Sequence, residues 1–177
     1  TLVRSGMYEA KKTYFGWGLE PCKTYVSPGS PVKSSSEMLY DSIKYIQYVL
    51  HKHAPIDSIA GICDGALLAS CVVALSPKEA TRPLSFLLNF CSPPLSRLPS
   101  ELVGELSIIK CLNIHFLGLQ DELYSQEDLL SIPRFSKNAV VCYHDGGHVI
   151  PVLDAARRAL VVVSIEEILK HEPKGVV

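Results

Sequence analysis

The sequence predicts an α/β fold, a mostly parallel sheet flanked by helices, and two observations carry that expectation. Short apolar runs at 56–62, 84–90, 112–117 and 139–143 are bounded by Gly, Pro and Ser clusters, the pattern of strands buried on both faces. Segments of helical spacing lie between them, so strands and helices alternate as in a parallel sheet with crossover helices.

Taken in chain order, Cys22–Val26 reads as a short strand, followed by the turn-rich loop Ser27-Pro28-Gly29-Ser30-Pro31. Ser34 and Glu37 have capping-box spacing. Met38, Leu39, Ile43, Ile46, Val49 and Leu50 then recur at helical intervals, which predicts an amphipathic helix from 36 to about 53. The strand 56–62 runs into the turn Gly61-Ile62-Cys63-Asp64-Gly65, and a small-residue helix is expected from Ala66 to Leu75. The strand 84–90 ends at Ser92-Pro93-Pro94. The strand 112–117 leads into Gly118-Leu119-Gln120-Asp121, and a short helix is expected over 125–131. After the strand 139–143, a long or broken helix is expected from Val149 to about Lys170.

At 177 residues the chain is long enough to bury a core and reads as a single domain, 1–177. Hydrophobic residues make up 47% of it, which argues against disorder. Net charge is −1 with no basic stripe, so no nucleic-acid partner is expected. Apolar stretches stop well short of a membrane span and no signal segment opens the chain, so a soluble, intracellular (cytoplasmic) protein is expected. The six cysteines, Cys22, Cys63, Cys71, Cys91, Cys111 and Cys142, form no CxxC pair. Reduced thiols, with neither a disulfide framework nor a zinc site, are expected. His144, Asp145 and His148 are spaced closely enough to ligate a metal but lack a further ligand, so no metal and no cofactor is expected.

Ligands of parallel α/β sheets sit outside the carboxyl ends of the strands. Three reactive side chains fall there: Cys63 after strand 56–62, Asp121 after 112–117, His148 after 139–143. That is the chain order nucleophile, acid, histidine of the α/β-hydrolase arrangement. A nucleophile on a tight strand-to-helix turn sits in strained backbone, and side chains at Gly61 or Gly65 are expected to crowd it. The helix after it points N–H groups at the site, favouring thiolate and oxyanion. Gly146 and Gly147 let His148 reach over the sheet edge, and Asp121 would orient it, with Glu122 as a reserve carboxylate. His144 reads as a solvated loop histidine.

Three segments resemble a known family. Pro55-Ile56-Asp57-Ser58-Ile59-Ala60-Gly61-Ile62-Cys63-Asp64-Gly65-Ala66 is similar to P-F-D-G-x-x-G-F-S-Q-G-A of the FSH family of serine hydrolases, in the α/β-hydrolase superfamily. Residues 112–121 resemble its acid-bearing strand, and Tyr143-His144-Asp145-Gly146-Gly147-His148-Val149-Ile150-Pro151 its H-P-G-G-H-x-x-P segment. Leu2–Tyr8 resembles the segment just after the family's first strand, so that N-terminal strand and its His-Gly loop are expected to be missing here. The resemblance covers roughly residues 1–155 and implies hydrolysis of short to medium acyl esters or thioesters. This chain departs from the family in carrying Cys63 for serine and Asp64 for glutamine. A carboxylate beside the thiol opposes thiolate formation. Dienelactone hydrolases, which the elbow alone resembles, show that this fold accepts cysteine there.

Two functions are therefore expected. In the first, Cys63, Asp121 and His148 form a triad, the backbone N–H of Asp64 helps hold the oxyanion, and a small-molecule acyl ester or thioester is cleaved. In the second, a catalytically degenerate relative acts as a binding or assembly subunit, pairing with a protein partner or another copy along an exposed sheet edge.

Overall fold

The computed structural model describes residues 34–75 and 84–171. The strand and loop expected over 22–31, and the question of an N-terminal strand, lie outside those residues. Among the described residues four strands, β1 (Ser58–Ile62), β2 (Phe86–Phe90), β3 (Ile109–Gly118) and β4 (Ser136–His144), form one sheet in the order β1-β2-β3-β4, every pair parallel. Each strand expected over 56–143 is present, so the α/β reading holds. Helices α1 (Ser35–Lys52) and α2 (Asp64–Ala74) precede and follow β1. The Ser34–Glu37 capping box that starts α1 forms as its spacing predicts, Ser34 Oγ accepting from the Glu37 N–H at 3.2 Å.

The main core lies between the sheet and α1 and α2. Leu39, Leu67, Val72, Leu87, Leu102 and Ile132 are fully buried there. Each such side chain contributes roughly 1.5–3 kcal/mol relative to exposure. On the opposite face Leu112, Ile114 and Phe116 form a second apolar layer, against which Phe86, Leu88, Phe90 and Val161 pack. Val161 belongs to the last helix, Ala155–His171, and Phe90 and Phe116 stack with ring centroids 4.9 Å apart. An apolar cavity of about 380 Å³ opens in this layer, lined in part by Phe90, Phe116, Ile150, Pro151, Leu153 and Val161.

Alternation along β2 and β3 places a buried polar row under α2. Asn89 donates from Nδ2 to Ser70 Oγ at 3.1 Å, and His115 Nε2 meets Asn113 Oδ1 at 2.6 Å. Asn89, Asn113 and His115 are completely buried. Desolvation holds the His115 imidazole far below its usual value, at about 3, so it is neutral.

Helical segments depart from expectation in three places. A 3₁₀ turn, Leu95–Arg97, and the six-residue α3 (Ser100–Glu105) were not expected, each being too short to show a period. The helix expected over 125–131 is two single turns, α4 (Gln126–Leu129) and α5 (Ser131–Arg134), which meet at Leu130. The last helix, α6 (Ala155–His171), begins later than the expected Val149, because Pro151 lacks a donor and biases the residue before it toward extended backbone.

Candidate active site

Position 63 combines three local constraints. β1 ends at Ile62, the Cys63 N–H still donates to Phe90 O at 2.9 Å, and the Cys63 carbonyl already accepts from Ala66 N at 2.8 Å as the N-cap of α2. The chain satisfies all three by turning at Cys63 with φ 51° and ψ −129°, a conformation L-residues rarely adopt. Such strain costs about 1–3 kcal/mol and is retained where the surroundings over-determine it.

The two flanking glycines differ. A Cβ on Gly61 would run into the Gly65 carbonyl and the Ala66 nitrogen, so Gly61 is required for the turn to close. A Cβ on Gly65 would meet nothing within 4 Å. The expected crowding at Gly65 is therefore wrong: Gly65 lies in the first turn of α2 and its Cβ direction points into open space.

Asp121 and His148 are brought together. Asp121 follows β3, its side chain fully buried and its Oδ2 2.8 Å from His148 Nδ1. Its other oxygen accepts from the N–H groups of Leu123 at 2.9 Å and Tyr124 at 3.2 Å. The carboxylate is thus fixed by its own loop before it meets the imidazole. His148 Nε2 is buried and has no hydrogen-bond partner. The Tyr124 ring lies tilted against the imidazole, centroids 5.8 Å apart. Glu122, the reserve carboxylate, is exposed.

The histidine loop is held against the acid-bearing strand by backbone. Leu119 N donates to His144 O at 2.9 Å and Gln120 N to Gly146 O at 3.0 Å. A Cβ on Gly118 would overlap the carbonyls of Gly146 and Gly147, so this close approach requires glycine. A glycine closing an apolar strand is the signal in the sequence that could have located this seam. His144 is buried at 4% exposure, and its Nδ1 accepts the Gly146 N–H at 3.2 Å. It pegs the loop and is not the solvated histidine expected.

Electrostatics around the thiol oppose ionisation. Burial first, and the Asp64 carboxylate second, push Cys63 above its ordinary value, while the Asp64 N–H and the Arg97 guanidinium pull it back. Arg97 lies 3.9 Å from Asp64 Oδ1, which partly offsets that carboxylate.

Cys91 is a site residue that no motif in the sequence singles out. It occupies in β2 the place Cys63 occupies in β1, directly after the strand, again with positive φ (48°). Its Sγ lies 3.9 Å from Gly147 O and 3.5 Å from Val149 O. One ligand atom each from Cys91, Asp121 and His148 lie within 4.8 Å of one another. Burial, then the Asp121 carboxylate, raise the Cys91 thiol. Among the described residues this trio, and not His144, Asp145 and His148, is the set with metal-ligand spacing. Cys63, Cys71, Cys91 and Cys142 are free thiols.

A four-stranded parallel sheet, a strained residue at a strand-to-helix turn and a buried acid–histidine pair from two later strand ends define an α/β-hydrolase-fold protein. Solved structures of that fold agree. A variant of Arabidopsis thaliana SOBER1 superposes with a TM-score of 0.55 at 15% identity, over 80% of this chain and 68% of that one. A Thermoplasma acidophilum protein described as a predicted CIB-like hydrolase does so with a TM-score of 0.50 at 12% identity, over 72% and 58%. More narrowly, the chain belongs to the serine hydrolase (FSH1) family, whose model matches residues 3–160. It is 32% identical over 127 residues to esterase OVCA2 of Bos taurus and 28% identical over 126 residues to that of Homo sapiens. In both cases the match spans 68% of this chain and 54% of the relative, so the chain spans about half the length of these curated relatives. Among the described residues no helix is long and apolar enough to cross a membrane.

Proposed function

We propose that this chain is an acyl hydrolase, a carboxylesterase or thioesterase, that uses Cys63 as nucleophile, His148 as general base and Asp121 to orient it. The observation that carries this is the 2.8 Å contact from Asp121 Oδ2 to His148 Nδ1, with the opposite ring nitrogen, Nε2, buried and unpartnered. With Nδ1–H donating to the carboxylate, Nε2 is the basic nitrogen. Because the thiol is held protonated, His148 removes its proton as the sulfur attacks, rather than beforehand.

In the acylation step the Cys63 proton passes to His148 Nε2, the sulfur bonds to the ester or thioester carbonyl carbon, and the oxyanion is met by the Asp64 N–H. Collapse expels the alcohol or thiol, which takes the proton from His148, and leaves an acyl-cysteine. Water, deprotonated by His148, then attacks the acyl carbon, the acid leaves, and the proton returns to Cys63. The apolar cavity that reaches Ile150 and Pro151, just beyond His148, suits an acyl chain. This chemistry needs a reduced Cys63, hence a reducing, intracellular setting.

A second reading, a non-catalytic binding subunit, draws on the raised Cys63 thiol and on β1, an edge strand among the described residues. One experiment separates the two. Iodoacetamide labelling of Cys63 is measured in the parent and in His148→Ala, alongside hydrolysis of p-nitrophenyl acetate and an acyl-thioester. The hydrolase reading expects turnover that is lost with His148→Ala and with Cys63→Ala. Slow labelling indifferent to His148, with no turnover of either substrate, favours the binding reading.

A further inference from the structure

The carboxyl edge of the sheet holds a ligand that acyl hydrolysis does not use. Cys91 is buried, yet its sulfur faces the acid–histidine pair, and a ligand atom from each of Cys91, Asp121 and His148 lies within 4.8 Å of the other two. We propose that these three side chains form a binding site for a divalent cation of borderline softness, the zinc and cadmium class, and that its occupancy silences the site.

Ligand chemistry selects that class. One sulfur, one imidazole nitrogen and one carboxylate oxygen make a mixed set that suits zinc and disfavours magnesium or calcium, which prefer oxygen. Charge balances as well: a thiolate and a carboxylate together offset a dication, so the occupied, part-buried site carries no net charge. Coordination replaces the thiol proton, Cys91–SH and the cation giving the Cys91 sulfur–metal bond and a released proton. Bond lengths of about 2.0–2.3 Å to each ligand place tetrahedral ligand atoms roughly 3.5 Å apart, so side-chain adjustments of about an ångström close the site.

The lining is built, not incidental. Cys91 projects from a residue with φ 48° whose N–H is tied to Phe116 O at 3.0 Å, and Asp121 is clamped by two backbone N–H groups. Three ligands thus come from three strand ends already fixed relative to one another. Whichever ring nitrogen the cation takes, it either consumes the Nε2 lone pair or breaks the bond to Asp121. That inhibitory consequence rests on the hydrolase reading; the binding itself does not.

The test uses the chain stripped with EDTA and titrated with cadmium, monitored by the ultraviolet thiolate-to-cadmium charge-transfer band. A saturable band of one cadmium per chain is expected in the parent and in Cys63→Ser. Cys91→Ser is expected to abolish it, and His148→Ala and Asp121→Asn to weaken binding at least tenfold. Zinc is expected to displace the cadmium and to stop p-nitrophenyl acetate hydrolysis, with EDTA restoring it. No saturable band at micromolar cadmium, or a band that survives Cys91→Ser, overturns the site. Should Cys91→Ser fail to fold by circular dichroism, unchanged cadmium affinity in both His148→Ala and Asp121→Asn overturns it instead. Cadmium binding with the expected mutational pattern, in a protein that turns over no ester, keeps the site and removes the hydrolase.

Discussion

His148 Nδ1 sits 2.8 Å from Oδ2 of an Asp121 whose side chain is wholly buried. The imidazole is therefore held by a group that cannot reorient, because the other carboxylate oxygen is occupied by the Leu123 and Tyr124 N–H groups. Asp121→Asn keeps an oxygen for the loop but presents an amide to Nδ1, which favours the wrong tautomer. Ester turnover is expected to fall about 10²- to 10⁴-fold. Asp121→Ala is expected to lose stability as well, by about 1–3 kcal/mol, because two backbone donors lose their acceptor. Steady-state kinetics and urea unfolding of both variants check this.

Asp64 raises the Cys63 thiol, and its removal leaves the Arg97 guanidinium without that opposing carboxylate. Asp64→Asn is therefore expected to speed iodoacetamide labelling of Cys63 at about pH 7.5 by about three- to tenfold, the scale of one unit charge a few ångströms away. The pH–rate curve for labelling moves to lower pH in the variant. An unchanged curve would mean that the Asp64 carboxylate does not set the thiol.

Glycines 61 and 65 give opposite expectations. Gly61→Ala drives a Cβ into the Gly65 carbonyl and is expected to cost about 3 kcal/mol or more, since backbone must move. Gly65→Ala meets open space inside a helix and is expected to be neutral or to stabilise by about 0.5–1 kcal/mol. Thermal melts of the two variants decide it.

Neutral, buried His115 couples stability to acid. Its folded value of about 3 lies below the ordinary histidine value, so between the two only the unfolded chain binds the proton. Stability from this residue is complete above about pH 6.5 and is lost as pH falls toward about 3, by about 2 kcal/mol at about pH 5. His115→Gln keeps a donor for Asn113 and removes the titration. Urea midpoints at about pH 7.5 and about pH 5 are expected to lie closer together in the variant than in the parent.

Much of the architecture was legible because it rests on short-range chemistry. The capping box at Ser34 and Glu37, the apolar strands and the glycine-flanked turn at Cys63 are each specified by residues that are neighbours in the chain. That Asp121 and His148 come together could be expected from strand ends alone. What escaped depends on contacts between distant segments. Cys91 looks like one more thiol in an apolar run until the parallel register sets β2 beside β3 and under the histidine loop. His144 stands in a glycine-rich stretch that reads as solvated, and only the pairing of β3 with β4, through Gly118 and His144, buries it. Gly65 shares a motif with Gly61 but not its surroundings, since the close approach at the turn falls on the Gly61 side alone. The buried row of Asn89, Asn113 and His115 breaks no apolar run long enough to announce itself.

The seam where Gly118 abuts Gly146 and Gly147 ties Asp121 and His148 to one part of the sheet edge and leaves Cys63 on another. Asp121 and His148 are carried by β3, β4 and the loops that follow them, joined by backbone hydrogen bonds, while Cys63 is carried by the β1–α2 corner and bonded to β2. Replacing the side chain at position 63 leaves those backbone bonds unchanged. On the proposed hydrolase reading, a serine in place of Cys63 is therefore expected to leave the Asp121–His148 contact as it stands.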